Sequence, residues 1–154
     1  MQQFEATIAW DRAGQAFNDQ LYSRAHEWRF DGGLRVPASS SPLSVPEPMS
    51  VAANLDPEEA LVAALSSCHM LFFLSLAAQR GFMVDTYRDH ALGIMERDTE
   101  GKLSMTRITL RPAIAFSGEA RPGAAQLDAL HHAAHAKCYI ANSIKAQVII
   151  EGAG

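Results

Sequence analysis

Asp56-Pro57-Glu58-Glu59-Ala60-Leu61-Val62-Ala63-Ala64-Leu65-Ser66-Ser67-Cys68 is the stretch on which the fold turns. Asp56 is an N-cap residue, Pro57 suits the first helical position, and two glutamates complement the positive end of a helix. The pattern predicts a helix from Asp56 to Arg80, with Gly81 as its stop. From Leu61 to Ala78 that helix is apolar nearly all round, through Leu65, Cys68, Leu71, Phe72, Phe73 and Leu76. A helix of that kind is buried rather than laid on a surface, and Cys68 falls in its middle.

Working outward, Phe4 to Trp10 reads as a first strand and Asp11 to Asn18 as a turn. Tyr22, Arg24, His26, Trp28 and Phe30 share one face of a second strand, so a guanidinium lies in line with aromatics. Gly32-Gly33 turns into a short strand around Leu34 and Val36, and residues 37–55, with four prolines and several serines, form a long loop. Beyond the helix, Met83–Glu96 and Leu103–Phe116 read as two strands around an Asp98-Thr99-Glu100-Gly101 hairpin signal. Pro122-Gly123 opens a second helix over 123–137, and Ala146 to Glu151 is a last strand. The order β-β-α-β-β-α-β predicts an α+β fold with antiparallel sheets packed around two helices, in one domain over residues 1–154.

Composition narrows the class. The 154 residues are 48% hydrophobic and 19% charged, which excludes a disordered chain and provides a core without disulfides. A net charge of −4 and the lack of basic runs make nucleic acid and anionic membranes poor partners. No basic or apolar leader follows Met1, and Met70–Ala78 is shorter than the ~20 residues that span a bilayer. The expectation is a soluble, cytoplasmic protein.

In that setting its two cysteines, Cys68 and Cys138, are buried thiols, metal ligands or redox groups. Leu127, His131, Ala134 and Cys138 share a helix face, so both thiols point towards a helix–helix interface. Two cysteines meeting in a reducing cell fit a dithiol that cycles, one attacking an oxidant and the other closing a disulfide. Free cysteine also behaves simply as a small hydrophobe, so two packing thiols in a dimeric binder of a small apolar ligand is the competing, non-catalytic reading. A third reading is a metal site from His131, His135 and Cys138 with Cys68-His69, although no metal motif is present.

A reactive thiol needs a nearby cation. Arg24 is the candidate, and Glu58 the carboxylate to hold it. Ten residues of helix put Glu58 ~15 Å along the axis from Cys68. Either the helix breaks between them, or the glutamate serves a site shared with a second subunit.

The segments Asp56-Pro57-Glu58-Glu59-Ala60-Leu61, Ala63 to Met70 and Ala136 to Ser143 resemble the OsmC/Ohr family of osmotically inducible and organic hydroperoxide resistance proteins. With Cys138-Tyr139 where the family often has Cys-Pro, the chain looks like an OsmC-like branch. The resemblance implies an intertwined homodimer with sites at the subunit interface and a thiol peroxidase activity on organic hydroperoxides. It implies that Cys68 is the peroxidatic and Cys138 the resolving cysteine, that Glu58 is the family glutamate, and that Arg24 (or Arg35) is its arginine. An external dithiol reductant is then required, and no metal or cofactor.

Overall fold

The computed structural model describes residues 1–152. It is α+β, with eight strands and two helices among these residues, and its contacts divide the chain into two units, one from Met1 to Ala60 and the other from Leu61 onward.

In the first unit β1 (Ala6–Ala9), β2 (His26–Phe30) and β3 (Arg35–Ala38) form an antiparallel sheet in the order β1-β2-β3. The second strand is shorter than its alternation predicts. Tyr22 and Arg24 precede it, because Arg24 N–H donates to the Met49 carbonyl (2.7 Å) instead of to a neighbouring strand. The Pro/Ser-rich loop is tied down by a buried serine: Ser39 N–H donates to Leu55 O (2.9 Å) and its Oγ accepts from Val51 N–H (3.0 Å). Backbone groups removed from water need such partners, and here the loop supplies them to itself.

Helix α1 (Pro57–Gln79) begins where the capping signals place it. Glu59 N–H donates to Asp56 Oδ1 (2.7 Å), and Asp56 N–H donates back to Glu59 Oε2 (3.5 Å), a reciprocal cap. It ends at Gly81, whose φ of +78° is a left-handed conformation that glycine adopts without a Cβ clash. The helix has no break, which removes one of the two explanations for the spacing between Glu58 and Cys68. By length and composition all of α1 is apolar enough to cross a bilayer, more than the Met70–Ala78 run suggests. One face of it, Leu65, His69, Phe73 and Ala77, is instead buried in the protein.

In the second unit each of the two long strand-like segments divides. Met83–Glu96 becomes β4 (Met83–Asp89) and β5 (Leu92–Arg97), while Leu103–Phe116 becomes β6 (Leu103–Leu110) and β7 (Pro112–Ser117). β4 pairs with β7 and β5 with β6, so both segments turn a corner between the same two sheets. Asp89 fastens that corner: its Oδ1 accepts from Arg111 N–H (2.6 Å) and its Oδ2 from Ser66 Oγ–H on α1 (2.5 Å). Helix α2 (Ala124–Lys137) follows, and β8 (Gln147–Ile150) closes the second sheet by pairing parallel to β6, a departure from the all-antiparallel expectation.

Two apolar clusters hold this unit. One gathers Leu65, Ile108, Leu110 and Cys138; the other gathers Phe73, Ala77, Leu130 and Ala134, and Phe72 packs against both. α1 approaches β5 closely at Gly93, where a Cβ would stand 2.6 Å from both Met105 Sδ and Val62 Cγ2. Only glycine fits that crossing.

Candidate active site

Cys68 and Cys138 come together, as the helix faces predict. Cys138 follows α2 directly and is fully buried, while Cys68 is half-buried on α1 and packs against the cluster that contains Cys138. Both thiols are free. Burial pushes the Cys138 thiol up to about 11, and the neighbouring Cys68 side chain, within hydrogen-bond reach, adds to the rise. Ala141 N–H, donating to Cys138 Sγ at 3.4 Å, works in the opposite direction. The two thiols are thus chemically unequal: one is half-buried, the other sealed and protonated beside it.

Arg24 and Glu58 lie in the first unit. The Arg24 guanidinium stacks on the Tyr22 ring, 3.7 Å from its centroid, and Nη1 donates to the carbonyls of Gln20 (2.7 Å) and Tyr22. It has no carboxylate partner among the described residues, and Glu58, half-buried in the first turn of α1, makes no ion pair. The expected bracing of Arg24 by Glu58 is therefore absent within one chain. Arg35, the other arginine considered, is exposed and shares Glu27 with Arg29 (3.4 and 2.5 Å). Arg24 instead opens onto an apolar cleft of about 460 Å³ lined by Ile8, Trp10, Phe17, Tyr22 and His26. Trp10, Phe17 and Tyr22 form a mutual aromatic cluster, with Phe17 stacked on Tyr22 at 4.6 Å.

A third feature joins two histidines that the sequence offers only as members of a metal set, not as a pair. His69 Nε2 and His131 Nδ1 share a hydrogen bond of 3.1 Å, with the two rings nearly parallel, and both residues are buried. Their signal lay in the apolar stripes Leu65–His69–Phe73–Ala77 and Leu127–His131–Ala134, in which each histidine holds a core position. The spacing of His131, His135 and Cys138 suggests a metal set, but among the described residues these side chains do not form one. Among the described residues no group of three or more His, Cys, Asp or Glu side chains is placed to hold a metal ion.

Burial pushes His69 down to about 4, helped by His131 and His135 and opposed by Asp89; burial likewise lowers His131. Both are neutral at pH 7. The folded state refuses protons that the unfolded chain accepts below its ordinary histidine value of 6.5. Stability is therefore complete at neutral pH and falls as the pH drops from 6.5 towards 4, by at most about 1.4 kcal/mol per pH unit for each histidine. Urea midpoints measured between pH 7.5 and 4.5 should fall more steeply for the native chain than for His69→Gln. Equal slopes would show that the pair is not held neutral.

The OsmC-like protein family model matches residues 51–151, which include α1, both cysteines and both buried histidines. No curated protein matches the chain. Among solved structures, an OsmC-like protein of unknown function from Vibrio cholerae is 51% identical, with a TM-score of 0.96 over 98% of this chain and 99% of that one. An organic hydroperoxide resistance protein from Elizabethkingia anophelis shares the fold at 14% identity (TM-score 0.70, 97% and 93% covered). Another, from Bacillus subtilis, does so at 16% identity (TM-score 0.64, 97% and 96% covered). With the matched region covering most of its length, the chain belongs to the OsmC-like family.

Proposed function

We propose that the protein is a cytoplasmic, cysteine-based peroxidase that reduces organic hydroperoxides to alcohols and serves in the response to oxidative stress. The observation that carries this reading is the unequal thiol pair, an accessible Cys68 in contact with a sealed Cys138. Cys68 thiolate attacks the distal oxygen of R–O–OH; the O–O bond breaks, Cys68 becomes a sulfenic acid, and the alkoxide leaves and takes a proton as the alcohol. Cys138 sulfur then attacks Cys68 sulfur, the S–O bond breaks, and water departs as the disulfide closes. An external dithiol restores both thiols.

The remaining parts fit a homodimer with shared sites. Among the described residues of the single chain Arg24 has no carboxylate and Glu58 no cation, and each supplies what the other needs when the partner comes from a second copy. A guanidinium held in this way favours the ionised form of a thiol placed beside it. Bulky apolar groups suit the aromatic cleft at Arg24 better than hydrogen peroxide does. The organic hydroperoxide resistance proteins that share this fold agree with this substrate class.

Exposure of the reduced protein to one equivalent of cumene hydroperoxide should produce one equivalent of alcohol and a chain lighter by two hydrogens. Hydrogen peroxide should act at least about tenfold more slowly, since one apolar contact set is worth a few kcal/mol. Unchanged mass, with both thiols still titratable, would leave a non-catalytic binder with packing cysteines.

A further inference from the structure

The second unit contains a cleft of about 370 Å³ that the peroxidase chemistry leaves unused. Leu127 from α2 and Val148 and Ile150 from β8 are its apolar walls, and His131 and His135, one turn apart on α2, are polar groups set among them. Val148 and Ile150 also pack against the cluster that contains Cys138. This wall is part of the core, so a ligand meets a preformed surface and little ordering opposes its binding.

The protons of the histidines follow from what surrounds them. His69 Nδ1 is enclosed and has no hydrogen-bond partner among the described residues. Buried N–H groups are the rarer orphans, so this nitrogen is bare and the neutral ring carries its proton on Nε2. His69 Nε2–H then donates to His131 Nδ1 across 3.1 Å, which leaves the His131 proton on Nε2. His135 repeats the arrangement: its Nδ1 is enclosed and unpartnered among the described residues, so its N–H is also at Nε2. Neither His131 Nε2 nor His135 Nε2 has a hydrogen-bond partner among the described residues, and neither is enclosed as those Nδ1 atoms are. Both rings line the cleft, and these are the atoms they have to offer it.

We propose that the cleft is a binding site for a small, uncharged organic molecule with an apolar body and a carbonyl oxygen, which accepts from the Nε2–H groups of His131 and His135. The site is separate from the thiol chemistry and does not depend on the peroxidase reading. Its walls select this class. Two N–H donors need an acceptor, and a pure hydrocarbon would take them out of water without supplying one. Among the described residues no lysine or arginine lines the cleft, so nothing offsets the cost of drawing an anion out of water. Asp128, the one carboxylate in the wall, opposes an anion further; its side chain is 73% exposed and shared with His132 (3.4 Å), so it holds a cation only weakly. The bond from His69 polarises the His131 ring and makes its Nε2–H the stronger donor. Phe73, 4.6 Å from His131 between centroids, packs on that ring and fixes its orientation.

Two probes of one shape test the site: acetophenone, and α-methylstyrene, in which a methylene group replaces the carbonyl oxygen. The second is the more hydrophobic and would bind more tightly in a merely apolar groove. With isotope-labelled histidines near neutral pH, acetophenone should shift His131 Nε2 and His135 Nε2 saturably and bind at least as tightly as α-methylstyrene. Benzoate, an anion of similar size, should bind about tenfold more weakly or worse. Without ligand, the same spectra should show the protons of His69 and His131 on Nε2, since bare and protonated ring nitrogens resonate far apart. His131→Phe keeps an apolar wall and loses the donor; it should weaken acetophenone about fivefold and leave α-methylstyrene within about twofold. If that variant does not fold, the probes on the native chain decide alone. Absence of a saturable shift up to the solubility of acetophenone would overturn the site, as would shifts confined to Trp10 and Tyr22 in the other cleft. Tighter binding of α-methylstyrene, or benzoate equal to acetophenone, would overturn the ligand class. A His131 proton found on Nδ1 would remove the donor on which the proposal stands.

Discussion

Cys68→Ser is expected to abolish hydroperoxide consumption, by roughly a thousandfold or more, because a serine hydroxyl is scarcely ionised near neutral pH and is a poor nucleophile without an adjacent base. Cys138→Ser should behave differently. It should consume a single equivalent of cumene hydroperoxide per chain and then stop, with Cys68 held as a sulfenic acid that a dimedone-type reagent traps. The asymmetry follows from burial. Cys68 is half-exposed, whereas Cys138 is sealed among Leu65, Ile108 and Leu110 and its thiol is pushed up to about 11. At pH 7 the Cys138 thiol is overwhelmingly protonated, which disfavours it as the first attacker. It resolves effectively only after the sulfenic acid has formed next to it, when the reaction is intramolecular. The Cys138→Ser protein should also remain folded. A hydroxyl in that site costs about 1–3 kcal/mol if unpartnered, but Ala141 N–H already points at the position. Reversed phenotypes, with Cys138→Ser inert and Cys68→Ser turning over once, would exchange the two roles.

The parts of the fold that were legible in the sequence are those whose signals are local. Asp56 and Glu59 mark the start of α1 through hydrogen bonds within four residues, and Gly81 marks its end through one backbone angle. The convergence of Cys68 and Cys138 was also legible, since each sits on an apolar helix face. The corners of the strands were not. Alternation runs on from Met83 to Glu96, and nothing in it shows that Asp89 ends one pairing while Leu92 begins another; that is decided by the partners β7 and β6 and by the Ser66 and Arg111 bonds to Asp89. The parallel docking of β8 on β6 is likewise a choice made by distant segments. The histidine pair illustrates the same limit in the site. Spacing placed His131 on the same helix face as Cys138, but a run of His131, His132 and His135 reads equally as a polar edge or a metal set. Only the position of α1 shows that His69 is its partner, 62 residues away. Arg24 shows the opposite: its place among aromatics was readable, while the lack of a carboxylate for it among the described residues was not.

Leu71→Arg is expected to turn the proposed dimer into monomers and to remove most of the peroxidase activity with it. One face of α1 carries Ala64, Ser67, Leu71, Ser75 and Ala78 at helical spacing, all exposed in the single chain, and Leu71 is 60% exposed in its middle. Four of the five side chains are small, which lets another helix approach closely; the fifth is an apolar knob that water does not suit. A second copy related by a two-fold axis would lay the same stripe against itself, so one substitution places two guanidiniums in the contact. Taking an unpaired charge out of water costs several kcal/mol even after relaxation, enough to weaken association by a hundredfold or more. The fold of each chain should survive, because Leu71 faces away from the buried stripe Leu65, His69, Phe73 and Ala77. Activity should fall because Glu58 and Cys68 stand ~15 Å apart along one unbroken helix, so a single chain does not bring its own carboxylate to its own thiol. Sedimentation in detergent-free buffer measures the first effect and cumene hydroperoxide consumption the second. A Leu71→Arg protein that stays dimeric would place the interface on another face. One that becomes monomeric yet keeps its full turnover would show that each chain holds a complete site, and would require Arg24 to find its carboxylate at home.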